Sequence, residues 1–151
     1  MTKRVREFET VLRGKRVSHT WRGYGSVIFL EFGKLFPTRT LKGQPGQPQG
    51  ELSLMSGWEW RVERRQSLRC ASWLPERHWP RVLKQLVGSK VQRIQFSRRM
   101  PEVKVSLSNG LRVISAMATD GPSSWAVISH TPMRRSLGVK GRTLHVENHG
   151  S

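Results

Sequence analysis

Apolar residues recur at helical spacing in two segments of this chain, which predicts two helices. The first set lies near the N-terminus and comprises Val5, Phe8 and Leu12. The second set comprises Trp79, Val82, Leu83 and Leu86, with Pro75 and Pro80 near its start. Gly14 and Gly88 follow these segments at positions that suit a C-terminal helix cap.

Short strands are predicted after each helix. Alternation is clearest over 103–108, where Val103, Val105 and Leu107 share one face and polar residues share the other. Asn109-Gly110 then predicts a tight type I′ turn into a return strand, because that turn needs positive φ at both positions. The other predicted strands are 26–33, 58–63 and 125–129.

The order of these elements repeats along the chain. The spacing L-x-G-x-x-V follows both predicted helices, at Leu12–Val17 and Leu86–Val91, and each half ends in a strand that carries tryptophan. We therefore predict an α+β fold in which a duplicated helix-plus-antiparallel-meander unit forms a compact single domain. This domain covers residues 1–130, with halves of about 1–70 and 71–130. A chance origin of the repeat is the alternative.

Two segments fall outside this scheme. Residues 38–50 are rich in Gly, Pro and Gln and predict a long loop that is either mobile or functional. From residue 131 onward the apolar period fades among basic residues. We predict a basic, extended and flexible C-terminal tail over 131–151, with one short strand at 143–146.

Charge then indicates a class of partner. The chain has 27 Lys and Arg against ten Asp and Glu in 151 residues, a formal charge of +17, and its pI is near 11.7. A compact domain this charged repels itself, so an anionic partner is the natural explanation, and nucleic acid is the commonest one. The alternative is that Arg-rich usage reflects genome composition and that polyanion binding is incidental.

Cations and interleaved aromatic residues supply the candidate contacts. One cation cluster follows the first Trp-bearing strand, and another lies on the strand and turn after the second helix. If the two halves pack with pseudo-twofold symmetry, these two clusters line one face. Trp21 and Tyr24 are expected to be exposed for base stacking, whereas Trp60, Trp79 and Trp125 are expected in the core. The candidate nucleic-acid-binding residues are Arg13, Lys15, Arg16, Trp21, Arg22, Tyr24, Arg61, Arg64, Arg65, Arg69, Arg93, Arg98, Arg99, Arg134 and Arg135.

Signatures of catalysis are weak. The five histidines are scattered, and no phosphate-binding glycine loop is recognisable, so we predict no catalytic residue, no metal and no cofactor. Glu31 interrupts an apolar run; we expect it to face solvent, and the alternative is a buried partner for an arginine. The single cysteine, Cys70, is expected to pack as a small apolar residue. No apolar stretch approaches the roughly 20 residues of a membrane span, and no signal peptide is evident. A cytoplasmic protein without membrane contact is therefore expected.

A set of short motifs resembles a group of small uncharacterised bacterial proteins. The motifs span about residues 12–130 and are Phe32-Gly33, Gly50-Glu51-Leu52-Ser53-Leu54, Trp60-Arg61, Ser108-Asn109-Gly110-Leu111 and Trp125. Some members of that group are similar to immunity-like proteins found beside polymorphic toxins. The resemblance implies a two-repeat α+β fold and an interaction role, with no catalytic residue.

Two functions follow as expectations. The first is a non-enzymatic protein that contacts nucleic acid phosphates, alone or as an accessory subunit of a nucleoprotein complex. The second is an immunity-like or adaptor protein whose basic face docks an acidic protein partner. The choice between DNA and RNA, and the oligomeric state, stay open at this stage.

Overall fold

Two antiparallel sheets and two short helices make up the α+β fold over the residues that the structure describes. The structure is a computed structural model, and it describes residues 2–57, 59–97, 102–116, 125–131, 133–140 and 143–149. The elements in chain order are α1 (Lys3–Leu12), β1 (Val17–Arg22), β2 (Ile28–Phe32), β3 (Leu52–Ser56), β4 (Glu59–Arg64), β5 (Ser67–Ala71), α2 (Trp79–Leu86), β6 (Val91–Ser97), β7 (Glu102–Leu107), β8 (Leu111–Ala116), β9 (Trp125–Ser129), β10 (Arg135–Lys140) and β11 (Thr143–Asn148).

The strands form a six-stranded and a five-stranded sheet. Sheet I has the order β1-β2-β3-β9-β10-β11, and sheet II has the order β5-β4-β8-β7-β6. Each helix is followed by antiparallel strands, but the strands of the two sequence halves interleave, since β9 pairs with β3 and β4 pairs with β8. The two halves therefore form one intimate unit, and their origin by duplication stays a prediction.

The inner faces of both sheets contribute to a common hydrophobic core. Phe96 of sheet II stacks on Trp125 of sheet I, with ring centroids 5.9 Å apart. Trp60 meets Trp79 of α2 edge to face at 4.9 Å. These three tryptophans are at most 1% exposed, which confirms their predicted core positions. Cys70 is also fully buried, as predicted, and burial raises the pKa of its thiol.

Both predicted helices form with their expected faces inward. Val5, Phe8 and Leu12 of α1 are buried, as are the four apolar residues predicted for α2. Thr2 caps α1, since its hydroxyl accepts a hydrogen bond from the Val5 amide at 3.4 Å. Gly14 and Gly88 follow the helices with positive φ, the conformation for which glycine is favoured.

The prediction of a flexible tail beyond residue 130 is wrong for the described part of that segment. Arg135–Lys140 and Thr143–Asn148 form a hairpin, and β10 continues sheet I by pairing with β9. Leu137 and Val139 are buried against the core. Apolar residues at every second position drive this pairing because they point to one face of the sheet, although basic residues and glycine interrupt the pattern in the sequence.

The β7–β8 connection is a hairpin, as predicted, but its turn is not type I′. Gly110 has φ 87°, and Asn109 lies outside the positive-φ region. The Gly110 amide donates to the Leu107 carbonyl at 3.0 Å, and the Asn109 carboxamide oxygen accepts from the Leu111 amide at 3.1 Å. This is the pattern of a three-residue loop with glycine in the left-handed position. The Asn109 amide group also donates to Gln85 of α2 at 2.9 Å, which ties the turn to the helix.

Candidate functional site

Four exposed cations meet at one end of sheet II. Arg64 and Arg65 lie at the β4–β5 turn, and β4 ends beside the start of β8. Lys90 precedes β6, and its carbonyl accepts from the Ser108 amide of the β7–β8 turn at 2.8 Å. Arg16 pairs with Lys90 through an isolated β-bridge. We call these four residues the basic end.

The basic end lacks acidic partners. Within the described residues no carboxylate forms an ion pair with any of these four cations. Glu63, on the outer face of sheet II, is already paired with Arg61 at 3.3 Å and with Arg112 at 2.9 Å. The Arg112 guanidinium also donates to the Arg65 carbonyl, which fixes the β4–β5 turn. Among the residues that the structure describes, no ion pair therefore neutralises the positive charge of these four cations.

The outer face of sheet II brings together two of the predicted clusters. Val62 and Ile94 are buried, so the strand neighbours Arg61 and Arg93 point outward on β4 and β6. Arg69 is exposed on the edge strand β5. Arg13 is exposed at the end of α1, where the next residue, Gly14, donates to the Val91 carbonyl at 2.8 Å. The backbone around Arg13 therefore adjoins the basic end.

Arg61 pairs with Glu63, and the Arg16 guanidinium donates to the Gly88 carbonyl. Three further predicted contacts also have partners within the protein. Lys15 pairs with Glu51 at 3.0 Å, and Arg135 pairs with Glu7 of α1 at 2.8 Å. Arg22 lies over the Trp79 ring at 4.6 Å and pairs with Glu76 at 3.1 Å. Lys15, Arg22 and Arg135 therefore take part in contacts within the fold.

The remaining candidates are scattered. Tyr24 is 97% exposed in its glycine turn, as expected, whereas Trp21 is only partly exposed. Arg134 is exposed with positive φ, next to the first residue of β10, a strand that is separated from β1 by three other strands of sheet I. Arg98 and Arg99 lie outside the described residues.

Glu31 is buried, and the expectation that it faces solvent is wrong. Its side chain lies on the outer face of sheet I, but only 2% of the residue is exposed. Within the described residues the alternative of an arginine partner is wrong as well, because the donors are the Trp21 indole at 2.8 Å, the Gly50 amide at 3.0 Å and the Ser53 hydroxyl. Three hydrogen bonds offset the cost of removing the carboxylate from water.

A strap formed by residues 33–51 covers Glu31. It joins β2 to β3 and has its own backbone pairing, including two hydrogen bonds between Phe36 and Gln49 at 2.7 and 2.9 Å. A Cβ atom at Gly50 would lie 2.5 Å from the Phe32 carbonyl oxygen, so only glycine permits the strap to approach this closely. The segment predicted as a long loop is therefore an ordered cover over the outer face of sheet I.

His130 completes a hydrogen-bonded chain with Ser53 and Glu31. The His130 Nε2 atom lies 2.9 Å from the Ser53 hydroxyl oxygen. Because the Ser53 proton points to the Glu31 carboxylate, His130 Nε2–H is the donor to Ser53 in this arrangement. The carboxylate contacts the serine and not the histidine, so these groups do not form the Ser-His-acid order of a hydrolase triad.

An aromatic pair and the strap line a pocket, partly open to solvent, beside this hydrogen-bonded chain. Trp21 and Phe29 are cross-strand neighbours whose rings stack 3.9 Å apart at 4°. The cavity has a volume of about 500 Å³, and its walls include both rings, the Glu31–Ser53–His130 chain and part of the strap. We call it the strap pocket.

Protonation of His130 gives a testable pH dependence. Burial lowers the pKa of His130, and nearby Glu31 only partly opposes the effect. The unfolded chain therefore binds the proton more readily, so the free energy of unfolding should fall as pH drops below about 6.5, the unfolded pKa of histidine. Denaturant unfolding at about pH 7.5 and 5.5 should show this fall, and His130→Gln should reduce it.

His78→Gln is the matched control, because His78 is exposed. Its pH dependence should equal that of the wild type. Glu51, whose pKa is lowered by the Lys34 amide and then by Lys15, contributes stability that is lost only below about 4.5, outside this window. If the free energy of unfolding fell equally with pH in the wild type and in His130→Gln, the lowered pKa of buried His130 would be contradicted.

The described residues contain neither a cluster of metal ligands nor a membrane-spanning helix. In the described ranges, no three His, Cys, Asp or Glu side chains come together as metal ligands. No helix within those ranges has the length and apolar character needed to cross a membrane. Comparison with protein families, with curated proteins and with solved structures finds no match to this chain.

Proposed function

We propose that this protein is a non-enzymatic nucleic-acid-binding protein that acts in the cytoplasm, alone or as an accessory subunit of a nucleoprotein complex. The basic end and the outward arginines of sheet II contact phosphates. The observation that carries the proposal is the grouping of Arg16, Arg64, Arg65 and Lys90, all exposed and without a carboxylate partner among the described residues.

The spacing of these cations suits a polyanion. Strands β4 and β6 are separated by β8 and β7, so Arg64 and Lys90 lie about 14 Å apart at a strand spacing of about 4.8 Å. Duplex DNA carries one charge per about 1.7 Å of axis, so this interval faces several phosphates. The arrangement does not depend on sequence duplication, because both cation-bearing strands belong to one sheet.

Removing charge from the basic end should weaken binding and its salt dependence together. We expect the triple variant Arg64→Gln, Arg65→Asn, Lys90→Gln to reduce the slope of log K against log salt by about 3, since each lost phosphate contact contributes about 0.9. Asparagine is chosen at Arg65 because φ there is 53°, a conformation that asparagine tolerates. Filter binding or fluorescence anisotropy across a salt series measures the slope.

The matched control removes three cations from the exposed side of α1, by Lys3→Gln, Arg4→Gln and Arg6→Gln. Both variants lower the formal charge equally, so a local site and a general charge effect are distinguished. Equal losses in the two variants would contradict a site at the basic end. Wild-type protein that binds no nucleic acid near physiological salt would instead favour an acidic protein partner, as expected for an immunity-like or adaptor protein.

A further inference from the structure

The strap pocket has the dimensions of a small-molecule site. Its volume of about 500 Å³ lies within the range typical of ligand pockets, about 300–1,000 Å³. The strap that roofs it is anchored at both ends, by the Gly50 amide on Glu31 and by the Lys34 amide on Glu51 at 2.8 Å. The roof is therefore held by hydrogen bonds to the protein beneath it.

The floor of the pocket presents groups that recognise a polar ring edge. A carboxylate group offers about four acceptor positions, and Glu31 uses three of them for Trp21, Gly50 and Ser53. One acceptor position on Glu31 thus remains for a ligand donor. His130 lies beside it and lines the same cavity.

The wall and roof suit a planar ligand. The Trp21–Phe29 stack supplies an aromatic wall, and Ile128 adds an apolar surface from β9. Thr40 and Gln49 line the roof with a hydroxyl and an amide, which can both donate and accept hydrogen bonds. An aromatic wall combined with mixed donors and acceptors matches a nucleobase, which has a π-face and a polar edge.

The rim of the pocket carries positive charge. Arg39 lines the cavity and uses one guanidinium nitrogen for the Gly43 carbonyl at 3.0 Å, which leaves other donors on the same group. Lys34 and Lys42 are exposed on the strap, and the one acid of the strap, Glu51, is paired with Lys15. A phosphate attached to the bound base would therefore meet the Arg39 guanidinium at the rim.

We propose that the strap pocket binds one nucleobase of a nucleotide, with its phosphate at Arg39. The nucleotide is either free or an unpaired unit of a bound strand, and only the second source rests on the proposed nucleic-acid-binding function. The base stacks against the aromatic wall and donates a hydrogen bond to Glu31.

The test compares two phenylalanine substitutions on the same sheet face. Ile128→Phe fills the pocket, whereas Met55→Phe adds bulk to the outer face of sheet I at a residue that does not line it. Isothermal titration with the four common nucleoside 5′-monophosphates measures free-nucleotide binding. Single-stranded and duplex oligonucleotides of equal length then measure the preference for unpaired bases.

We expect the wild type to bind at least one monophosphate with a dissociation constant below about 1 mM, and Ile128→Phe to weaken it about tenfold. Met55→Phe should match the wild type. If Ile128→Phe does not fold, Gln49→Ala is used instead, because this change removes an amide group from the roof of the pocket without adding bulk. We expect Gln49→Ala to weaken monophosphate binding about threefold.

The oligonucleotide measurements distinguish a free nucleotide from an unpaired base of a bound strand. A preference for single strands that Ile128→Phe abolishes, with duplex affinity unchanged, assigns the pocket to unpaired bases of a strand. Monophosphate binding without any oligonucleotide binding would overturn the proposed nucleic-acid function but would still support nucleotide binding by the strap pocket. If the protein binds oligonucleotides but Ile128→Phe changes neither monophosphate binding nor the preference for single strands, the pocket proposal alone would be overturned.

Discussion

Replacing Trp125 with alanine is expected to lower the free energy of unfolding by about 3–5 kcal/mol, the cost of large-to-small changes at buried aromatic sites. Trp125 begins β9 and is fully buried. Its ring stacks on Phe96, so it links the inner face of sheet I to that of sheet II. Alanine leaves a cavity between the two sheets, where neighbours on both sides are fixed by strand pairing.

Trp73→Ala is the control for this prediction. Trp73 is 59% exposed in the connection between β5 and α2, so its removal should change stability by less than about 0.5 kcal/mol. Denaturant unfolding of both variants measures the difference. A Trp125→Ala protein as stable as Trp73→Ala would show that the two sheets do not depend on this contact.

Removing residues 133–151 is expected to abolish cooperative folding. The deletion takes away Leu137 and Val139, each a buried side chain that contributes about 1.5–3 kcal/mol. It also exposes the edge of β9 and breaks the Arg135–Glu7 ion pair with α1. These losses are comparable with the whole stability of a small domain, about 5–15 kcal/mol. Thermal unfolding followed by circular dichroism measures the outcome.

A matched pair of point variants tests the same hairpin without truncation. Leu137→Lys places a charge on the inner face of β10, whereas Ser136→Lys places it one residue away on the outer face. Adjacent strand residues point to opposite faces, so the first variant should be strongly destabilised and the second nearly unchanged. A truncated chain that melts cooperatively at the wild-type temperature would contradict the structural role of the hairpin.

Local sequence patterns predicted the elements whose apolar period is uninterrupted. The spacing of Val5, Phe8 and Leu12 located α1, and the alternation of Val103, Val105 and Leu107 located β7, because each period maps directly onto a buried face. In the hairpin of β10 and β11, Leu137, Val139, Leu144 and Val146 also alternate. Gly138 and the neighbouring basic residues obscured that signal, and basic composition suggested a tail instead.

The strap pocket could not be predicted from local pattern. Alternation places Glu31 on the outer face of its strand correctly, but its burial depends on the strap that crosses it. Ser53 and His130 are 77 residues apart and meet because β3 pairs with β9. A usable signal was present in β2, where apolar residues occupy both faces around Glu31; such a strand is typically covered on both sides.

Three residues of the basic end, Arg16, Arg64 and Arg65, were predicted as contacts in separate clusters, whereas Lys90 was not among the candidates. The sequence locates Arg64 and Arg65 after one strand and Lys90 before another, but their adjacency depends on the strand order of sheet II. The pairing of Arg16 with Lys90 likewise joins residues 74 positions apart in the numbering. Local sequence patterns therefore identified three of the four cations and could not establish which of them share a surface.

Binding of nuclease-treated wild-type protein to labelled single- and double-stranded DNA and RNA, titrated across a salt series, tests the central claim most directly. The proposed function predicts a submicromolar dissociation constant at about 150 mM salt. For four neutralised phosphates, the slope of log K against log salt should be at least about 3.5 in magnitude for a duplex and about 2.8 for a single strand. Weak binding to every polymer, lost at moderate salt, would contradict the claim and indicate that the charge serves an acidic protein partner.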